Sequence, residues 1–134
     1  MSTFVSVGNA TQPFSRLLDE VCKLAQELPQ PVFVQYGAVQ DFSCSHCHAV
    51  AFMDMQAFEQ QVAKAELLIL HAGAGSVIHA VRAGKVPVVM PRRAHLGEHV
   101  DDHQLEFARE LTTAGKVVMC EDASELADAV SEAL

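Results

Sequence analysis

A glycine-rich stretch in the middle of the chain has the residue types expected of a phosphate-binding turn. Residues 67–70 are apolar, as in a buried strand, and 71–76 (His-Ala-Gly-Ala-Gly-Ser) precede a helical pattern that extends to Gly84. Glycines at 73 and 75 let the backbone approach a ligand and adopt positive φ, and the first N–H groups of a helix attract an anion. Because the stretch lacks the full G-x-G-x-x-G and the lysine of a P-loop, it predicts either a phosphate site or a tight strand–helix turn without a ligand.

The cysteines form a second group with possible chemistry. The run Cys44-Ser45-His46-Cys47-His48 matches the c-type haem attachment pattern, and C-x-x-C near histidine also occurs in zinc sites. Haem attachment is disfavoured because it requires export. A zinc site is disfavoured because all its ligands would crowd into five residues and strain the loop. A redox site is disfavoured because a redox C-x-x-C begins a helix, and no helix is evident here. We therefore expect a flexible loop with reduced thiols, and we expect Cys22 and Cys120 to be buried core residues.

Two consecutive arginines end the next apolar segment. Arg92 and Arg93 follow a strand-like run at 87–90, at a place where a ligand edge is expected. A guanidinium binds phosphate through two N–H groups at once, and it also suits a protein partner. A solvated surface pair is the alternative.

Apolar periodicity predicts the elements that position these residues, namely strands that alternate with helices. Alternation of this kind indicates an α/β fold with one doubly wound, Rossmann-like parallel sheet. In such sheets ligands bind beyond the carboxyl ends of the strands, where the loops 8–13, 37–48, 71–75 and 91–100 would gather. The strands are predicted at 3–7, 31–36, 49–52, 67–70, 87–90 and 116–119. The helices are predicted at 14–28, 54–64 with Asp54 as cap, from the glycine-rich turn to Gly84, at 101–113 and at 124–134 with Ser124 as cap.

The last predicted helix carries an apolar stripe of Leu126, Val130 and Leu134. A stripe at this spacing most often packs on the protein's own sheet. Docking of a partner protein is the alternative.

Composition and charge restrict the classes of function. The 134 residues fit one domain, 1–134, and 50% of them are hydrophobic, which excludes a disordered chain. The net charge of −8 argues against nucleic acid as a partner. The first residues lack the pattern of a signal peptide, and no apolar run approaches the roughly 20 residues of a membrane helix. We therefore expect a cytoplasmic protein.

Several motifs together resemble glycosyltransferase family 28, in its C-terminal, donor-binding domain. They are His-Ala-Gly-Ala-Gly-Ser at 71–76, Ala-Gly-Lys-Val-Pro-Val-Val-Met-Pro-Arg-Arg at 83–93, Gly-Glu-His at 97–99 and Asp-His-Gln-Leu-Glu-Phe-Ala at 102–108. Residues 4–8 and 13–17 look like the start of stand-alone members of the family. Those members are soluble subunits of two-part enzymes, which act on dolichol-linked sugar in eukaryotes and in exopolysaccharide biosynthesis in bacteria. The run from Pro91 to Gln104 looks more like the bacterial type.

The resemblance implies one half of a GT-B glycosyltransferase. It implies an inverting hexosyltransferase reaction from a UDP-sugar to a lipid-linked acceptor, without a cofactor or metal. The acceptor half and the general base would belong to a membrane-anchored partner subunit, which would hold this chain at the inner membrane. Alone, the chain would have little activity and could self-associate. The alternative is a non-catalytic module that binds a nucleotide-sugar or regulates a partner.

The resemblance also implies which residues bind the donor. The glycine-rich turn would hold the diphosphate, and Gln104 would bind sugar hydroxyls, unless it is a solvent-facing residue at a helix start. His79 departs from the family, since many members have a glutamate there that binds the ribose hydroxyls, and a neutral imidazole makes only one such hydrogen bond. His79 could also be a plain helix-surface residue. The full predicted donor-binding set is Gly8, His71, Gly73, Ala74, Gly75, Ser76, His79, Arg92, His103 and Gln104.

Overall fold

A computed structural model describes residues 2–134 and contains six strands and five α-helices, with a helix after every strand except β2. The strands are β1 Thr3–Ser6, β2 Val32–Gln35, β3 Cys47–Val50, β4 Leu67–His71, β5 Val88–Met90 and β6 Val118–Met119. The helices are α1 Ser15–Leu24, α2 Met55–Lys64, α3 Ala74–Arg82, α4 His103–Thr113 and α5 Leu126–Ala133. Short 3₁₀ turns lie at Ala25–Glu27, Ala94–Leu96 and Ala123–Glu125. Met1, where the predicted domain begins, lies outside the described residues.

The strands form one parallel sheet in the order β3-β2-β1-β4-β5-β6. The chain builds outward from β1 to β3 and then returns to place β4 on the other side of β1, so the winding direction changes between β1 and β4. Ser6 and Leu70 are paired in the register at the carboxyl ends of these two strands. The predicted α/β, Rossmann-like sheet is confirmed, and its switch point is where such folds form a ligand crevice.

Both faces of the central strands are buried, which explains the apolar runs of β4 and β5. Successive side chains of a strand point to opposite faces. Phe4 and Leu68 accordingly pack with residues of α2, α3 and α4. Val5 and Ile69 pack on the other face with residues of α1 and α5. The sheet is therefore covered by helices on both sides.

The edge strand β3 differs most from its predicted position. It begins at Cys47 and ends at Val50, two residues earlier than the predicted segment 49–52. Its pairing with β2 fixes this register, with Val34 opposite Ala49. Most of its side chains are exposed, so the strand lacks the apolar alternation from which its position could be predicted. Each of the other strands lies within two residues of its predicted bounds.

One of the two predicted helix caps is confirmed and the other is wrong. The Asp54 carboxylate accepts a hydrogen bond of 2.8 Å from the backbone N–H of Ala57 at the start of α2. Ser124 caps no helix, because the chain first makes a 3₁₀ turn that begins one residue after Asp122. Asp122 and Glu125 form a reciprocal capping box around that turn, and α5 follows it.

The apolar stripe of α5 packs on the sheet of this chain. Leu126 and Val130 are buried in the cluster formed with α1, whereas Leu134 is exposed. This favours the packing interpretation over the docking of a partner. Among the described residues, no helix combines the length and apolar character needed to cross a membrane.

Arg92, directly after β5, has the largest fully buried side chain of the described residues. Its guanidinium donates hydrogen bonds to the backbone carbonyls of Val7 at 2.6 Å, Gln12 at 2.8 Å and Glu98 at 2.8 Å. It also lies 4.8 Å from the centroid of the Phe14 ring. Burial lowers the pKa of Arg92 to about 10, an effect that the Glu98 carboxylate opposes, so the group stays charged at neutral pH. One cation thus joins the loop after β1 to the loop after β5.

Arg16 of α1 also binds the loop after β5. Its guanidinium binds both carboxylate oxygens of Glu98, each at 3.0 Å, and donates to the carbonyls of Pro91 and Glu121. Glu98 is buried and also accepts from the backbone N–H of Arg93 at 3.0 Å. The two-point contact between guanidinium and carboxylate fixes the 91–98 loop against α1.

We predict that Arg92→Met lowers the free energy of unfolding by about 3–5 kcal/mol, because the backbone carbonyls of Val7, Gln12 and Glu98 lose their hydrogen-bond donor. Urea unfolding followed by circular dichroism measures the change. Arg109→Met is the matched control, since Arg109 binds Glu121 at the surface, and we expect an effect of at most about 1 kcal/mol. Equal effects of the two substitutions would contradict the structural role given to Arg92.

Candidate functional site

A cavity of about 280 Å³ opens at the carboxyl ends of β1, β2 and β4. It lies at the point where the winding direction of the sheet changes, and the starts of α2 and α3 form part of its wall. Cavities of this size and position commonly bind small ligands in α/β proteins. The lining residues are Ser6, Gly8, Asn9, Gln35, Met53, Asp54, Met55, Phe58, His71, Gly73, Gly75, Ser76 and His79.

The start of α3 is an open helix N-terminus at this cavity. Gly73 is the N-cap residue, and no side chain of residues 2–134 caps the helix. The N–H groups of a helix's first turn have no partner within the helix and carry its positive dipole end. α2 differs, because the Asp54 carboxylate occupies its N-terminus. Of the two helix starts at the cavity, α3 is therefore the one free to bind an anion.

The glycines of this turn act by their small size and not by positive φ. Gly73 has a φ of −74°, Gly75 lies in the first turn of α3, and the prediction of positive φ at these two residues is wrong. A Cβ atom at Gly73 would overlap the His71 ring, whereas one at Gly75 would meet nothing within 4 Å. Gly8 does have a positive φ, +73°, and a Cβ atom there would also overlap His71. Gly8 and Gly73 thus make room for the imidazole, and Gly75 leaves space in the cavity.

His71, the last residue of β4, is a buried and neutral imidazole. Burial lowers its pKa to about 3, and the positive charges of Arg92 and His99 add to this effect. Gln104 determines which nitrogen carries the proton. Its Oε1 accepts from the backbone N–H of Arg92 at 3.1 Å, so its Nε2 donates to His71 Nδ1 at 3.3 Å. The hydrogen of His71 is therefore on Nε2, and the ring can donate to a ligand in the cavity.

Four of the predicted donor-binding residues do not line the cavity. Gln104 is buried, and its amide forms hydrogen bonds with the backbone of Arg92 and with the His71 ring. It therefore orients the imidazole. The Arg92 guanidinium is directed at backbone carbonyls in the interior. His103 has a side chain that is 80% exposed and pairs with Asp101. Ala74 begins α3 and lies outside the lining, where it contributes only the position of its N–H group.

The other six predicted residues do line the cavity. His79 is the one that departs from the family pattern. Its Nδ1 lies 3.9 Å from a carboxylate oxygen of Glu59 on α2, and its ring meets Phe58 edge-on. α2 thus brings a carboxylate close to His79. The six residues are Gly8, His71, Gly73, Gly75, Ser76 and His79.

Sequence reasoning missed the polar floor of the cavity. Ser6 and Gln35 end β1 and β2, both are buried, and the Ser6 hydroxyl donates to Gln35 Oε1 at 2.5 Å. The backbone N–H of Gly8 donates to both side chains at 3.2 Å, and Gln35 Nε2 donates to the carbonyls of Gly8 and Ala51. A polar residue at the last position of an otherwise apolar strand was the sequence feature that could have revealed them.

The cysteines are arranged differently from the prediction. Cys22 of α1 and Cys44 are joined by a disulfide, so the expectation of reduced thiols is wrong for this pair, and Cys22 is only partly buried. Cys120 is free and buried, as predicted. Cys47 and His48 belong to β3, so the C-x-x-C-H run is only partly a loop. Within residues 2–134 no group of three or more metal-ligating side chains is placed to hold a metal ion.

The fold is similar to the Rossmann-like domains of solved GT-B glycosyltransferases. The glycotransferase of kitacinnamycin has a TM-score of 0.74 and 17% identity, over 98% of this chain and 34% of that one. MurG of Acinetobacter baumannii has a TM-score of 0.64 and 23% identity, over 91% of this chain and 37% of MurG. SnogD of Streptomyces nogalater has a TM-score of 0.58 and 17% identity, over 98% of this chain and 34% of SnogD. At such identities the likeness concerns the fold alone.

The chain belongs to glycosyltransferase family 28, since residues 2–134 match the model of its C-terminal domain. It is also similar to the UDP-N-acetylglucosamine transferase subunit ALG13 of Yarrowia lipolytica, with 32% identity over 123 aligned residues. The alignment covers 83% of this chain and 60% of that relative, so the chain spans about three fifths of its length. The family predicted from the motifs is confirmed.

We predict opposite effects on stability for two neighbouring glycines. Gly73→Ala should lower the free energy of unfolding by about 1–3 kcal/mol, because the new methyl group displaces the packed His71 ring. Gly75→Ala should leave stability unchanged or raise it by up to about 1 kcal/mol, because alanine favours the helix and open space receives the methyl group. Thermal and urea unfolding of the two variants test this, and equal destabilisation would contradict the description of the turn.

We predict a pH dependence of stability from His71. The unfolded imidazole has a pKa near 6.5 and the folded one about 3, so below pH 6.5 only the unfolded chain binds the proton. The contribution of His71 is fully present above pH 6.5 and is lost as pH falls towards 3, by at most about 1.4 kcal/mol per pH unit. Urea unfolding at pH 7.5, 6.5 and 5.5 measures the slope.

His71→Gln should remove this slope. His103→Gln, which removes a solvent-exposed imidazole, is the control for the loss of a histidine and should retain it. The assignment fails if the slope of stability against pH in His71→Gln equals that of the wild type.

Proposed function

We propose that residues 1–134 form one domain, the donor-binding part of a glycosyltransferase that uses a UDP-sugar. The observation that carries this proposal is the open N-terminus of α3 beside the Nε2–H of His71, in a cavity at the switch point of the sheet. Both groups are hydrogen-bond donors, and neither has an acceptor of its own among the contacts described above. A diphosphate supplies such acceptors together with the negative charge that a helix N-terminus favours.

The same donors would assist the chemical step. As the bond between the sugar and UDP breaks, negative charge grows on the diphosphate oxygens. The N–H groups of residues 74–76, the Ser76 hydroxyl and His71 Nε2–H would stabilise that charge more strongly than the charge of the bound donor. Gln104 would act indirectly, since it keeps the His71 proton on Nε2. The first turn of α3 would therefore be the part of this chain that accelerates hexosyl transfer.

The nucleoside would extend from the diphosphate towards α2. His79 and the nearby Glu59 carboxylate stand on that side, and Glu59 can accept hydrogen bonds from the two ribose hydroxyls. This pairing would replace the glutamate that many family members have in α3. We propose that His79 positions Glu59 and does not bind the ribose alone.

The acceptor half would be a second polypeptide. The relative from Yarrowia lipolytica is described as a subunit, which supports a partner for this chain as well. We propose a membrane-anchored partner that binds a lipid-linked acceptor and supplies the general base for an inverting reaction. The complex would then stand at the cytoplasmic face of the inner membrane, in exopolysaccharide biosynthesis.

A non-catalytic role is the second candidate, and His79 is the observation that favours it. A domain that has lost the family's glutamate could bind a nucleotide-sugar without transferring it, or regulate a partner. Transfer of labelled sugar by this chain together with its acceptor subunit would exclude that role.

We predict that UDP binds the purified chain and that Gly75→Asp weakens binding at least tenfold in calorimetry. The new carboxylate would enter the cavity beside the diphosphate. Aspartate in the first turn of a helix favours the helix, so the variant should remain folded.

Two controls accompany this measurement. Gly75→Ala adds bulk without charge and should bind UDP more tightly than Gly75→Asp. Ser131→Asp adds the same charge at an exposed position of α5 and should bind as the wild type does. Wild-type affinity in Gly75→Asp, or no binding of UDP to the wild type, would count against a donor site at this turn.

A further inference from the structure

Three of the four cysteines converge where α1 meets the loop before β3. Cys22 lies near the end of α1 and is bonded to Cys44, with the two Cα atoms 5.8 Å apart. This separation is typical of a disulfide. Cys47, the first residue of β3, is a free thiol, and its Sγ lies 3.2 Å from Sγ of Cys44. Cys44 is therefore in contact with two possible partners at once.

The local backbone keeps this arrangement in place. The backbone N–H of Cys47 donates to the Cys44 carbonyl at 3.2 Å, which closes a tight turn between the two cysteines. β3 pairs Cys47 with Val32 of β2, so the thiol is anchored to the sheet. The Cys22 side of the cluster is anchored by α1, whose residues Leu18 and Val21 are in the core. Cys44 lies in the loop between them and is the only one of the three that belongs to neither a strand nor a helix.

We propose that Cys22, Cys44 and Cys47 form an intramolecular thiol–disulfide exchange site, in which Cys44 changes its partner between Cys22 and Cys47. The thiolate of Cys47 attacks Sγ of Cys44, so that the Cys44–Cys47 bond forms while the Cys22–Cys44 bond breaks. Cys22 leaves as a thiolate and takes up the proton that Cys47 has given up. One disulfide and one thiol are present before and after, so the step needs no added oxidant or reductant.

The exchange has a structural consequence for a groove on this side of the protein. An open groove lies between α1 and the loop after β2, with Asp19 and Cys22 on one wall and Gln40 and Phe42 on the other. The Cys22–Cys44 bond joins the two walls covalently. The Cys44–Cys47 bond lies within the loop and its adjoining strand, so it releases the loop from α1. The position of one disulfide thus determines whether the groove is closed by a covalent link.

Burial raises the pKa of the Cys47 thiol, so the attack proceeds through a small thiolate fraction. Disulfide reshuffling takes seconds to hours in general. We expect the exchange here to be slow enough to follow by chemical trapping.

The experiment starts from the full chain oxidised with oxidised glutathione to the Cys22–Cys44 form. The native protein is held in dilute iodoacetamide without reductant, samples are quenched with acid, and disulfides and alkylated cysteines are mapped by mass spectrometry. We expect alkylated Cys22 to accumulate together with the Cys44–Cys47 disulfide. In Cys47→Ser, alkylation of Cys22 should fall at least tenfold, because nothing displaces Cys22 from Cys44.

Two further variants complete the test. Cys120→Ser removes the remaining buried thiol and should exchange as the wild type does. Cys22→Ser, oxidised in the same way, should form the Cys44–Cys47 disulfide. Equal alkylation of Cys22 in wild type and Cys47→Ser would overturn the proposal. So would the absence of alkylated Cys22 in the wild type, or one equivalent of tightly bound zinc on the three reduced thiols. None of these readouts depends on donor binding.

Discussion

The buried guanidinium of Arg92 is the constraint on which the ligand-binding edge depends. Removing a charge from water costs several kcal/mol unless the protein supplies well-placed hydrogen bonds. Here the acceptors are backbone carbonyls of Val7, Gln12 and Glu98, which belong to loops that follow different strands. Because a carbonyl has a fixed direction, each loop must take the one course that presents it. The shared cation thus helps to order both loops.

Arg92 also affects the candidate site, through Gln104 and through its charge. The backbone N–H of Arg92 orients the Gln104 amide, and Gln104 in turn sets the proton of His71. The positive charge of Arg92 also helps to keep that imidazole neutral. A chain with a net charge of −8 does not attract an anion at long range, and salt screens charges beyond about 10 Å. The proposed binding of a diphosphate would therefore rest on neutral donors and a helix dipole at short range.

The sequence predicted the strands and helices that have strong apolar patterns. It also predicted that the loops after the strands gather at the carboxyl ends of the sheet. β1, β4 and β5 are nearly continuous apolar runs, and the glycine-rich turn marked the start of α3. It placed the strand β3 two residues too late, because the exposed side chains of that strand carry no apolar period. It could not predict that Arg92 and Gln104 turn inward, because their partners at Val7, Gln12 and His71 are remote in sequence. Local pattern shows which residues are polar, and only the tertiary fold shows which polar groups they meet.

The connection between β4 and α3 consists of only two residues, Ala72 and Gly73. Because this connection is so short, the end of β4 constrains the position of the first turn of α3. The surface proposed to bind the anion is also made of main chain, and an N–H group is common to every residue except proline. Replacing a side chain can block such a surface, but it does little to change which ligand the backbone N–H groups select. Any diversity in ligand choice must then come from the longer segments around the cavity, between β1 and α1 and between β3 and α2.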